Sequence, residues 1–282
     1  MAARQPEVYS IAAHRGFADA LVAGLLPRYS EPDLGLARLT LLLPSTRAVR
    51  TVSEAFVRLS DAEGLGGLLM PRMAVVGDLD LDETLGPLLD PLGAGAAIAP
   101  AADPTRRLFK LAEFLPRAMA GLGREPPPGA ALLRMAQEIA RAIDRLLVEA
   151  VDPEALWQEG VLQVLAEMSE HWKENTRLFY AVHAMWRDEL RARGEIDAAA
   201  RRNRLFARAA EKWRSEPPAT PIVAAGVTSA APALAELLRV VSELPNGAVI
   251  LPDLDLSMPP EVWDELGEAG ASGSDPPFAR GD

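Results

Sequence analysis

An α/β fold on a parallel sheet, interrupted by an all-helical subdomain, is predicted by three features of this 282-residue sequence. Residues 38–43 (RLTLLL) are a near-continuous apolar run, as expected of a strand buried on both faces of a parallel sheet. Residues 221–251 run PIVAAG, then APALAELLRVVSE, then GAVIL, a strand–helix–strand order that suggests a parallel βαβ unit. Residues 105–215 carry apolar positions at helical spacing and no strand signal.

The elements follow in order. Residues 7–11 (EVYSI) read as a short strand, and Phe17, Ala20, Leu21 and Leu25 then fall at helical spacing. After the strand at 38–43, Pro44-Ser45-Thr46 breaks the run, and Val49, Val52, Phe56 and Leu59 mark one side of a helix. Gly64, Gly66 and Gly67 mark a turn. Residues 68–76 (LLMPRMAVV) contain Pro71, which places this strand at an edge. An acidic loop follows at 77–83.

In the helical block, 104–121 is a helix with Pro116 as a kink, and EPPPG at 125–129 is a stiff linker. Residues 130–150 carry the stripe Leu132, Met135, Ala136, Ile139, Ile143, Leu146 and Leu147. Asp152-Pro153 starts a new helix as N-cap and first helical residue. A further stripe runs over 160–192, and 196–214 is a basic helix with Leu205, Phe206 and Trp213 as its apolar members. These readings divide the chain into 1–104, the first part of the α/β domain; 105–215, the insertion; 216–266, the return to the α/β domain; and 267–282, a Gly/Ser/Pro-rich tail expected to be disordered.

Composition excludes several classes. With no cysteine, these residues hold no disulfide framework, zinc ribbon, iron–sulfur cluster or cysteine nucleophile. The three histidines (His14, His171, His183) are scattered and suggest no metal ligand set. No apolar run reaches the roughly 18–20 residues of a membrane span. The first residues lack an apolar signal core and a cleavage site, so a cytoplasmic location is expected.

The formal net charge of −11 is unevenly spread. Residues 105–215 hold 19 basic and 16 acidic side chains, a balance of +3, against 10 and 24 elsewhere, a balance of −14. Within 191–214 there are eight basic and three acidic residues. Such a run suits a solvated helix face or a phosphate-binding stripe.

Three motifs bear on chemistry. The strand–loop–helix at 38–56 has the topology that in P-loop proteins holds G-x-x-x-x-G-K-[ST], where backbone amides wrap phosphates and Lys reaches them. Here the loop is Pro44, Ser45, Thr46, Arg47, with no glycine and no lysine. An anion at the helix N-terminus and a simple helix cap are both compatible with it. Asp78-x-Asp80-x-Asp82-Glu83 opens like a Ca²⁺ loop but has Glu83 in place of the sixth-position glycine and Leu89 at the twelfth position, so no metal site is assigned. Gly226, Thr228 and Ser229 follow a strand and open a helix, either as a ligand contact at the strand's carboxyl end or as a cap. Trp172, Trp186 and Trp213 stand at helical spacing with other apolar residues and read as core.

Ordered blocks along the chain resemble the N-terminal part of the AddB family of alphaproteobacterial double-strand-break repair proteins. They are VYSIAAHRGFADALVAGLL (8–26), LTLLLPSTRAVRTVSEAFVRLS (39–60), LLMPRMAVVGDLDLDE (68–83), EHWKENTRLF (170–179), GEIDAAARRNRLFARAAEKW (194–213) and PPATPIVAAGVTSAAPALAELLRVVSELPNGAVILPDLDL (217–256). The resemblance implies a RecA-like parallel sheet of the superfamily 1 helicase type, derived from P-loop proteins, with 105–215 inserted in it. It implies a helicase-like region whose motor has lost function and which scans for a recombination hotspot. The implied partners are the AddA helicase–nuclease subunit, DNA ends and single-stranded DNA, with no membrane. Arg201, Arg202, Arg204 and Arg208 become candidate phosphate contacts. The resemblance implies no cofactor within this chain: an iron–sulfur cluster and Mg²⁺ would belong to a C-terminal nuclease region past residue 282, which makes truncation an expectation. Two other readings stay open: a nucleotide-binding motor with an atypical loop, and a purely structural module that binds AddA.

Overall fold

Residues 5–62, 68–77, 98–154, 170–229 and 231–269 are described by a computed structural model. The turn at Gly64–Gly67, the acidic loop at 78–83, the first part of the 160–192 stripe and the tail past 269 lie outside these residues. So do the side chains of His171 and Trp172.

Five strands form one all-parallel sheet: β1 (Val8–Ile11), β2 (Thr40–Leu43), β3 (Arg72–Val75), β4 (Ile222–Ala225) and β5 (Gly247–Pro252). Their spatial order is β1-β5-β4-β2-β3. Every residue of β2 and β4 is buried, as their unbroken apolar sequences require of central strands. β3, preceded by Pro71, stands at one edge, where a strand tolerates a missing donor.

Alternation along β2 sends its side chains into two cores. Leu41 and Leu43 face α1 (Phe17–Tyr29) and α2 (Thr46–Ala62), together with Val223 and Ala225 of β4. Leu42 and Ala224 face the opposite side, under α6 (Ala198–Ser215) and α7 (Pro232–Glu243). A third core joins α3 (Pro104–Gly121), α4 (Ala130–Val148) and α5 (Glu170–Arg193) through Leu111, Phe114, Leu115, Ile139, Ile143 and Trp186. The chain returns to the sheet beside the point where it left. Ile196 N–H donates to Pro100 O at 3.0 Å, and Ala102 N–H to Ile196 O at 2.9 Å.

Packing therefore groups α6 with the sheet, whereas the sequence pattern groups it with the helical block. Leu205, Phe206, Ala209 and Trp213 share one cluster with α7 and β2–β4. Trp186 and Trp213 are core residues, as their spacing suggested. Pro116 sits inside α3 without ending it. A further helix, α8 (Pro260–Ala269), follows β5 where the sequence showed no element. Among the described residues, no helix is long and apolar enough to cross a membrane.

Arg107 joins the helical core to the start of α6. It is 8% exposed. Its guanidinium lies 2.7 Å from Asp144 Oδ1 on α4 and 3.1 Å from Asp197 Oδ1, and it donates to Ala140 O at 3.3 Å. Asp197 also accepts from Trp186 Nε1 at 2.9 Å. Asp197 occupies the N-cap of α6 yet makes no capping bond, because its carboxylate is turned to these partners.

Candidate functional site

The strand order creates a crevice. From β2 the chain passes through α2 to β3 on one side; from β4 it passes through α7 to β5 on the other. α2 and α7 cover opposite faces. The adjacent carboxyl ends of β2 and β4 thus form a topological switch point, where open α/β sheets place their ligands. Pro44, Ser45 and Arg47, predicted from one motif, and Gly226, predicted from another, line the same cleft of about 500 Å³ there.

The local sequence joins β2 to α2 without a glycine-rich loop. Only Pro44 and Ser45 separate Leu43 at the end of β2 from Thr46 at the start of α2. Pro44 has no N–H. Ser45 Oγ accepts from Ala48 N–H at 3.2 Å, which caps α2 and occupies one amide of its first turn. Two glycines allow close packing around the cleft. A Cβ on Gly77 would stand 2.0 Å from Pro44 O, and one on Gly226 would meet Phe17 Cε1 at 3.2 Å. Gly226 also has a φ of +69°. β4 and the residues after it, Gly226 to Ser229, offer no carboxylate where a nucleotide hydrolase holds its Mg²⁺ from a Walker B strand. Across the mouth, Arg58 pairs with Asp19 at 2.6 Å, and Arg47 is exposed.

A second cavity, of about 360 Å³, lies between the helical block and the same edge of the sheet. Arg141, Arg145 and Glu149 line it from α4 and its C-cap, Arg202 from α6, Ser229 from the segment after β4, and Gly77 from the end of β3. The structure thus brings Arg202 and Ser229 together, although they came from separate motifs. Thr228 is exposed and does not line this cavity.

The four arginines of the basic helix are split by its geometry. Positions 201, 204 and 208 share one side of α6 at three- and four-residue spacing, and 202 lies off it. Arg204 is exposed, and Arg201 and Arg208 are half-buried. Arg202 is 4% exposed, stacked over the Phe206 ring at 5.4 Å from its centroid. Burial lowers its pKa below the ordinary arginine value, against the attraction of Glu149.

Among the described residues, no group of three or more acidic or histidine side chains is placed to hold a metal. His183 is buried against Phe179, and among the described residues its Nδ1 has no hydrogen-bond partner. It packs in the helical core, far in role from any ligand set. Gly77, Arg141 and Arg145 were not singled out from sequence. Gly77 reads as the start of a loop. The i,i+4 spacing of Arg141 and Arg145 was the available signal, but it matches the polar side of any amphipathic helix. No protein-family model matches the chain, and no curated protein matches it.

Proposed function

We propose that this chain is the non-motor, helicase-like N-terminal part of an AddB-type subunit, serving DNA-end processing for recombinational repair by binding DNA and an AddA-type helicase–nuclease. In this reading the sheet is a RecA-like domain of the superfamily 1 type, and α3–α5 are its inserted subdomain. The observation that carries the proposal is the two-residue Pro44-Ser45 connection at the switch point. It keeps the position of a phosphate loop while lacking the glycines, the lysine and the length that nucleotide binding needs. The ordered blocks that resemble the AddB family support the same reading.

DNA contact is assigned to the outer side of α6, with Arg204 and Arg208 as sequence-independent phosphate ligands. The test is titration of a labelled single-stranded oligonucleotide at several salt concentrations, with wild type and an Arg204→Glu/Arg208→Glu variant. Wild type binds with a steep salt dependence, and loss of two contacts lowers the log–log slope by about 1.4. Equal affinity and slope in the two proteins would overturn the α6 assignment. Absence of any binding by wild type would leave only the structural, partner-binding module.

A further inference from the structure

The cavity between α4, α6 and the carboxyl edge of the sheet has a buried guanidinium in its wall. Arg202 is 4% exposed, and its Nε is sealed from solvent with no acceptor. Among the described residues no hydrogen bond or ion pair reaches its guanidinium; it lies against the Phe206 ring, and Glu149, which lines the same cavity, attracts it. A sealed guanidinium N–H without an acceptor is unfavourable, and the rest of the group is left to meet whatever occupies the cavity. Asp144, though it lines the same cavity, is already bound to Arg107 at 2.7 Å.

Two more arginines line the same cavity. Arg141 and Arg145 are one helical turn apart on α4, exposed, and both line the cavity. Arg141 shares its charge with Glu138 at 2.6 Å. The fourth wall is Ser229, whose Oγ accepts weakly from Ala231 N–H at 3.4 Å. Ala231 is the N-cap of α7, a twelve-residue helix with no side-chain hydrogen bond at its cap. The positive end of that helix therefore begins on the same edge of the sheet.

We propose that this cavity binds a phosphate group, with Arg202 as its buried ligand, Arg145 and Arg141 closing over it, and Ser229 donating its hydroxyl. A guanidinium fixed by ring stacking offers a planar pair of N–H donors that suits a tetrahedral oxyanion. The volume of about 360 Å³ admits a phosphate with attached sugar as well as the free ion. The group can thus come from inorganic phosphate, from a phosphomonoester, or from the backbone of a nucleic-acid strand. The site is separate from the outer side of α6 and does not depend on the DNA-binding reading.

The experiment is thermal denaturation and calorimetry of the full chain with inorganic phosphate, with chloride at equal ionic strength as control. A second arm uses a labelled single-stranded oligonucleotide in competition with phosphate. Wild type gains a saturable, phosphate-specific rise in Tm, and Arg202→Gln loses it. Arg145→Gln weakens affinity by about tenfold. If Arg202→Gln does not fold, an Arg141→Gln/Arg145→Gln variant, altered only at exposed positions, still must lose the response. Competition between oligonucleotide and phosphate that vanishes in Arg145→Gln but persists in Arg204→Glu/Arg208→Glu identifies the strand backbone as the source. A phosphate response without such competition identifies a free phosphate or monoester. The proposal falls if neither ligand stabilises wild type beyond chloride, or if the arginine variants respond as wild type does. Failure of oligonucleotide binding alone would count against the DNA reading and leave the phosphate site standing.

Discussion

Arg107 reaches Asp144, Asp197 and the Ala140 carbonyl from a position that is 8% exposed. Removing it strands the buried Asp197 and the half-buried Asp144. Arg107→Met is expected to cost about 3–5 kcal/mol in chemical denaturation. Burial already holds the Asp144 carboxyl above its ordinary value despite the pull of Arg107. His183 provides a separate pH signal. Burial lowers its pKa from the ordinary 6.5, Arg107 adds to this, and Asp197 and Asp152 oppose it. The folded state therefore favours the neutral imidazole. Its contribution is fully present above pH 6.5 and is lost as pH falls through the lower, folded value. Melting curves at falling pH should show a loss of Tm below 6.5 that His183→Phe reduces. At Gly77, a Cβ would strike backbone at 2.0 Å, so Gly77→Ala should displace the Pro44 loop and destabilise the protein by more than an ordinary surface change.

At the scale of elements, α6 and α8 make opposite demands. Phe206 is fully buried between α6 and the sheet, so Phe206→Ala should cost about 3–5 kcal/mol, read from the denaturation midpoint. Trp263 of α8 is 42% exposed, and Trp263→Ala should change stability by no more than about 0.5 kcal/mol. The same pair shows how far the sequence could be read. The run TLLL and the order PIVAAG–helix–GAVIL were sufficient for the central strands and their parallel sense, because burial on both faces leaves an apolar signature. α6 was visible as a helix, yet its layer was not. Leu205, Phe206, Ala209 and Trp213 define an apolar side but not which surface it meets, and the neighbouring arginines suggested solvent. α8 was hidden because its composition, rich in Pro, Glu and Gly around Trp263, resembles the tail that follows it. Among the site residues, the motif at Pro44–Arg47 and Gly226 were each legible alone. Their meeting depends on β2 and β4 being neighbours, which local sequence does not encode.

For the whole molecule, the sheet places a cleft at the switch point between β2 and β4, and the helical block adds an arginine-lined cavity on the same edge. The residues outside 105–215 carry −14, while 105–215 carry a balance of +3 and bring Arg141, Arg145 and Arg202 to this edge. In the proposed function the cleft has the place of a nucleotide site but not its chemistry. Isothermal titration of the chain with ATP and Mg²⁺ tests it most directly. No saturable binding is expected at the cleft. Saturable binding that Arg47→Ala weakens would contradict it and restore the motor reading.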